Sequence, residues 1–137
     1  MMWLPGPAVL LLVTLFVSSA QDKAPVEVRY LSQTITSPSG SSIKLTCNAH
    51  YYVELCSLLH VAWYHITKQS VELTDPRRYL TTVNETTISD DNMRHRQVVT
   101  EILNLTPEDA GQFQCTAECD KESETVAGHY IWITVIG

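Results

Sequence analysis

An all-β fold of two packed sheets is what this sequence predicts, and three features carry the prediction. Short runs rich in Val, Ile, Thr, Tyr and Trp recur along the chain, clusters of Ser, Gly, Pro and Asp separate them, and no window of helical length holds a clean apolar period of 3.6 residues. The 137 residues, 45% hydrophobic and 18% charged, suit one globular domain and exclude a disordered or collagen-like chain.

Each element follows from its local pattern. Residues 26–35 read as a first strand, closed by the turn cluster Thr36-Ser37-Pro38-Ser39-Gly40. In residues 42–47 the side chains of Ile43, Leu45 and Cys47 alternate onto one face, so that face points to a core. The same alternation turns Val61 and Trp63 inward within residues 60–66. Residues 71–74 form a short strand before Asp75-Pro76 turns the chain, and residues 79–83 form an edge strand ahead of a polar segment, 84–96. Residues 97–105 resume a strand with Ile102 and Leu105 inward. A corner at Thr106-Pro107-Glu108-Asp109-Ala110-Gly111 leads into residues 112–117, where Phe113 and Cys115 share a face. The last strand, 129–136, separates Ile131, Ile133 and Val135 from Tyr130, Trp132 and Thr134.

The N-terminus sets the compartment. Residues 8–17 are apolar except for Thr14, and Ser18-Ser19-Ala20 precedes the polar Gln21-Asp22-Lys23, the pattern of a signal peptide cleaved after Ala20. Residues 1–20 are therefore expected to be the signal peptide and residues 21–137 the domain. No later run approaches the ~20 apolar residues that a spanning helix needs, so no membrane span is expected in this chain. The product is extracellular: secreted, or at the cell surface if the chain is a truncated form of a membrane protein. Nine Lys and Arg against fifteen Asp and Glu give a formal charge of −6, the wrong sign for a phosphate-binding surface, which excludes nucleic acid as a partner.

The chemistry of the chain lies in its cysteines. No G-x-S-x-G elbow, P-loop, H-E-x-x-H or G-x-G-x-x-G is present, and the adjacent carboxylates Asp90-Asp91 and Glu108-Asp109 read as turn-forming, solvated residues rather than a catalytic pair. An enzyme with a small-molecule substrate or a cofactor is not expected. Four cysteines allow three pairings. Cys47-x2-His50 with Cys56-x3-His60 is a rival zinc-ligand set, disfavoured by the export signal, which delivers the chain to an oxidising compartment. His65, His95 and His129 are scattered and read as solvated or edge histidines.

Cys47 on an early strand, Trp63 on the next, and Cys115 preceded by Asp109-Ala110-Gly111-Gln112-Phe113-Gln114 form one constellation. On these residues the chain resembles the immunoglobulin superfamily, whose late strand reads D-x-G-x-Y-x-C and whose sheets are tied by a disulfide packed on a Trp. The resemblance implies a Greek-key sandwich, V-like or intermediate because residues 63–115 leave room for extra edge strands. It implies a Cys47–Cys115 bridge between the sheets, with Trp63 and Phe113 in the core. It also puts Cys56 and Cys119 on loops that emerge at one end, where a second bridge is expected, and pairs Asp109 with an upstream Arg, for which Arg78 is the candidate over Arg77 and Arg94. One departure is Phe113 at the place of the corner tyrosine; the missing hydroxyl is expected to cost one hydrogen bond, about 1 kcal/mol.

The expected function is recognition of a protein. Sequons at Asn84-Glu85-Thr86 and Asn104-Leu105-Thr106 are accessible to glycosylation in an exported chain, with Asn104 expected to point outward from the sheet that does not contain the strands at 60–66, 112–117 and 129–136. The opposite outer face would display Ala62, Tyr64, Gln112, Gln114, Thr116, Tyr130, Trp132 and Thr134, a nearly uncharged patch; Tyr64, Gln114, Tyr130 and Trp132 are its expected partner-binding residues. Beside it the loop 118–125 is acidic. The spacing Cys47-x8-Cys56 ahead of His60-Val61-Ala62-Trp63, with Gly128-His129-Tyr130 opening the last strand, is similar to the inhibitory lymphocyte receptors typified by the B- and T-lymphocyte attenuator. That similarity implies a ligand of the tumour-necrosis-factor-receptor type. The alternative is a secreted decoy or a structural adhesion protein with no signalling role.

Overall fold

Nine strands and two single-turn 3-10 helices make up the computed structural model, which describes residues 24–88, 92–120 and 124–137 except for the Glu124 side chain. One sheet has the order β1-β3-β7-β6, from β1 (Val26–Arg29), β3 (Ile43–Tyr52), β7 (Met93–Ile102) and β6 (Tyr79–Thr87). The other has the order β2-β9-β8-β4-β5, from β2 (Thr34–Pro38), β9 (Glu124–Ile136), β8 (Gly111–Cys119), β4 (Leu59–His65) and β5 (Val71–Glu72). The predicted all-β sandwich is what forms. Most of the set that alternation turned inward forms the core between the sheets: Leu45, Cys47, Val61, Trp63, Ile102, Leu105, Phe113, Cys115, Ile131 and Ile133 are buried, joined by Val98, while Ile43 and Val135 are only partly buried. Each large apolar side chain among them contributes about 1.5–3 kcal/mol by leaving water.

Three elements differ from expectation. The first strand is two: β1 pairs antiparallel with β3, while β2 lies parallel to β9 in the other sheet. The chain crosses between them at residues 30–33, where the Tyr30 ring turns inward to 4.9 Å from Trp63. The crossing gives each sheet an added strand and fills the interior with an aromatic ring. The polar segment 84–96 is largely strand, because β6 and β7 form one hairpin in unbroken register from Tyr79↔Ile102 to Thr87↔Arg94. Its inward positions near the turn carry Glu85 and Arg96, which pair with each other and so remove the apolar alternation a sequence reader looks for. Finally, β5 is only two residues long, although the Leu73 N–H still bonds the Trp63 carbonyl.

Candidate functional site

The outer face of the five-stranded sheet brings the expected residues together, except that Ala62 is buried rather than displayed. Register places Glu72, Tyr64, Gln114 and Tyr130 in one row across β5, β4, β8 and β9, with Gln112, Trp132 and Thr34 in the next. Tyr130 and Trp132 remain 46% and 50% exposed. The row is held in place: the Tyr64 hydroxyl donates to Glu72 at 3.2 Å, and Gln114 Nε2 donates to the Gly128 carbonyl at 2.9 Å. Burial, then the Glu72 carboxylate, push the Tyr64 phenol above its ordinary value, so it remains a neutral donor. The face is not the nearly uncharged patch expected. Glu72 and His60 meet at 3.2 Å on its β5 margin, and His60 lies opposite Glu118. Alternation within single strands could not disclose this margin, because it depends on the register of β5 and β8 against β4.

Beneath the face, the β8–β9 ladder is broken by a bulge between Gln114 and Thr116. An extra residue there leaves a backbone amide without a strand partner. Tyr30 supplies one: its hydroxyl accepts from the Cys115 N–H at 3.0 Å and donates to the His129 carbonyl. Gly128 is required opposite, since a Cβ would lie 2.3 Å from the Tyr30 ring. Burial raises the Tyr30 phenol pKa, partly offset by the Cys115 N–H. Sequence reasoning missed Tyr30, whose role arises from a bulge 85 residues downstream.

The cysteines pair as expected. Cys47 and Cys115 bridge the sheets with Cα atoms 6.3 Å apart, directly beside Trp63, the register partner of Cys115. Cys56 and Cys119 form a second bridge, Cα to Cα 5.4 Å, at the end where the loops after β3 and β8 emerge. The zinc set is thereby overturned: its cysteines are in disulfides, and its histidines lie apart, His50 stacked on His95 on one sheet and His60 at Glu72 on the other. The carboxylate of Asp120 near the second bridge faces disulfide sulfurs, not thiolates.

At the opposite end Arg78 Nη2 donates to Asp109 Oδ2 at 2.7 Å, and the same oxygen accepts the Thr106 N–H at 2.8 Å, as the resemblance implied. Of the two adjacent pairs read as solvated, Glu108 is exposed, Asp109 is buried in this ion pair, and Asp90-Asp91 lies outside the described residues. The corner itself corrects two expectations. His65 is buried, stacked on Phe113 at 4.1 Å between ring centroids, and its Nε2–H donates to the Ala110 carbonyl at 3.2 Å. A side-chain bond to the backbone just upstream of Phe113 is thus supplied from β4, in place of one from a tyrosine hydroxyl. Burial holds the His65 imidazole below the usual histidine range, with the Ala110 bond partly opposing. His95 is also drawn into the sheet surface, its Nε2 bonded to Asn48 Oδ1 at 2.8 Å, whereas His129 is exposed as expected.

Both sequon asparagines are exposed. Asn84 lies within β6. Asn104 does not project from a sheet, as expected of it, but sits in the bend after β7 with φ 53°, against the turn at Gly40.

The model of the family described as Immunoglobulin domain matches residues 33–126. The chain belongs to the immunoglobulin domain family. Comparison with curated proteins finds no match. Within the immunoglobulin architecture, β4, β8 and β9 are the three-stranded side of a constant-type domain, to which this chain adds β2 at one edge and the two-residue β5 at the other; a variable-type domain adds two strands beyond β4. Family, fold and disulfides fit an extracellular or cell-surface recognition or adhesion module, a class that is typically non-enzymatic. Among the described residues no helix is long and apolar enough to cross a membrane.

Proposed function

We propose that this immunoglobulin domain is exported by residues 1–20 and recognises a protein ligand through the outer face of β4, β8 and β9, as the ectodomain of an immune or adhesion receptor. The observation that carries the reading is the pair Tyr130 and Trp132: two half-exposed aromatic side chains at successive outward positions on one face of β9, flanked by the amides of Gln112 and Gln114. Large amphipathic rings with few charges between them are the composition of interface centres, and such residues carry most of the binding energy when truncated. The carboxylates of Glu72 and Glu118 form an acidic rim that favours a basic partner and speeds its approach. Similarity to the inhibitory lymphocyte receptors adds a finer reading, a ligand of the tumour-necrosis-factor-receptor type and an inhibitory role.

The test is binding of the purified domain to cells displaying candidate receptors, that type included. Trp132→Ala and Tyr64→Ala are each expected to weaken binding at least about tenfold while the thermal transition stays cooperative. Unaltered binding in both variants rejects this face.

A further inference from the structure

The four edges of the two sheets are not protected alike. β1 has four residues and carries Glu27 and Arg29, β5 has two residues, and β2 has five and ends at Pro38. Shortness, charge and proline are the ordinary ways to stop an edge from templating another strand. β6 is neither short nor broken by proline. It runs nine residues, shows no register break against β7, and is exposed from Leu80 to its end. Residues 80–84, Leu-Thr-Thr-Val-Asn, contain no charge and no proline, and Leu80 and Val83 stand 56% and 55% exposed. The strand's one charge, Glu85, is tied to Arg96 at 2.6 Å. What β6 has instead is a sequon in mid-strand, with Asn84 exposed and Thr86 completing the acceptor.

We propose that Asn84 is an N-glycosylation site whose glycan guards the β6 edge, and that without it two copies of this chain pair edge to edge through β6. The modification needs a lipid-linked pyrophosphoryl oligosaccharide as donor: Asn84 Nδ2 forms the bond to the first sugar carbon and loses a proton as the lipid pyrophosphate departs. The hydrated glycan then occupies the space that an added strand, about 4.8 Å away, would need. Asn104 supplies an internal contrast, because its bend after β7 borders no open edge and its glycan would guard none. The inference shares with the proposed function only the export of the chain, and does not involve the ligand face.

The experiment uses the full chain expressed in a eukaryotic secretory host. Peptide mapping is expected to find Asn84 occupied; a vacant site overturns the proposal. Thr86→Ala removes the acceptor while Thr86→Ser keeps it. Light scattering after size exclusion is expected to show concentration-dependent dimers for the first and monomers for the second. Adding Thr82→Lys to Thr86→Ala places a charge on the edge and is expected to restore the monomer. Monomeric Thr86→Ala, or a dimer that survives the lysine, overturns the edge assignment. If Thr86→Ala is not secreted, wild-type protein trimmed by an endoglycosidase after folding takes its place, with the same two outcomes. Ligand binding measured alongside separates this edge from the face of β4, β8 and β9.

Discussion

Each end of the sandwich is closed by an arginine and a carboxylate, and the two closures work in opposite ways. At the corner before β8 the carboxylate is the hub. Asp109, with a side chain only 5% exposed, collects Arg78, the Thr106 N–H and, at 3.4 Å, the Thr106 hydroxyl. At the end near the second disulfide the cation is the hub. Arg96 donates to Glu85 at 2.6 Å, to the Tyr51 hydroxyl at 3.4 Å and to the Leu59 carbonyl of the opposite sheet, with its guanidinium carbon 5.5 Å above the Tyr51 ring. Tyr51 completes the circuit by donating to Glu85. Burial raises the Glu85 carboxyl pKa, but the bonds from Tyr51 and Arg96 outweigh it and leave the group below its ordinary value. An acidic hub buries one charge that must be matched; a basic hub spans the gap between sheets while both charges stay partly wet.

The first way to break this comparison is to remove each hub. Asp109→Ala strands the Thr106 N–H and leaves Arg78 without its partner, and should destabilise the domain by about 3 kcal/mol, the low end for breaking a buried pair because Arg78 is itself partly open to water. Arg96→Ala should cost about 1–2 kcal/mol, since Glu85 can rehydrate and the main loss is the bond to the Leu59 carbonyl. Denaturant unfolding of both variants, each with intact disulfides, measures the difference. Equal or reversed costs would mean that bridging the sheets outweighs matching a buried charge.

The two closures also differ in how far the sequence discloses them. Arg78 and Asp109 belong to a pattern that the D-x-G-x-F-x-C run announces, as do Cys47, Trp63 and Cys115. Nothing local announces Arg96 and Glu85. They face each other because β6 and β7 pair in one register, and in the sequence they are two charges in a polar segment. The same reason hides Tyr30, which serves a bulge far along the chain, and Glu72 and Glu118, which join the outer face of the five-stranded sheet only through their rows. Alternation identifies which side of a strand is buried. It does not identify the strand alongside.

The disulfides sharpen the contrast between the centre and one end of the molecule. Taken alone they close loops of 68 and 63 residues, which the chain-entropy model treats as nearly equal. Taken together they are staggered, so that with one intact the other closes a ring of only about thirteen residues, whose loss costs about 3 kcal/mol in either case. The entropic cost of removing either bridge is therefore the same, and any difference between Cys47→Ala/Cys115→Ala and Cys56→Ala/Cys119→Ala reports packing. Both pairs are buried, but only the first lies directly beside Trp63. Replacing it should cost about 1 kcal/mol more through the cavity left at the indole. Matching melting curves for the two double variants would place the indole's support elsewhere.

The smallest effect concerns the corner again, where His65 has taken over a tyrosine's bond. Burial lowers the folded-state pKa of His65 below the ordinary 6.5, so at pH values between that ordinary value and the lowered one the unfolded chain binds more protons than the folded chain. The stability that His65 contributes is thus fully present above pH 6.5, declines as pH falls below it, and stops declining once the folded histidine also protonates. His50, lowered by burial and then by the stacked His95, has the same sign, so wild-type protein should lose stability on acidification through both groups. His65→Phe should remove its share of that slope between pH 7.5 and 5 while costing about 1 kcal/mol at pH 7.5 for the unpaired Ala110 carbonyl. Adding Phe113→Tyr to it restores a hydroxyl at the corner, and should recover the loss at pH 7.5 without recovering the slope. A single variant that keeps the whole wild-type slope would show that His65 does not titrate with folding, and that its place at the corner is one of packing against Phe113 alone.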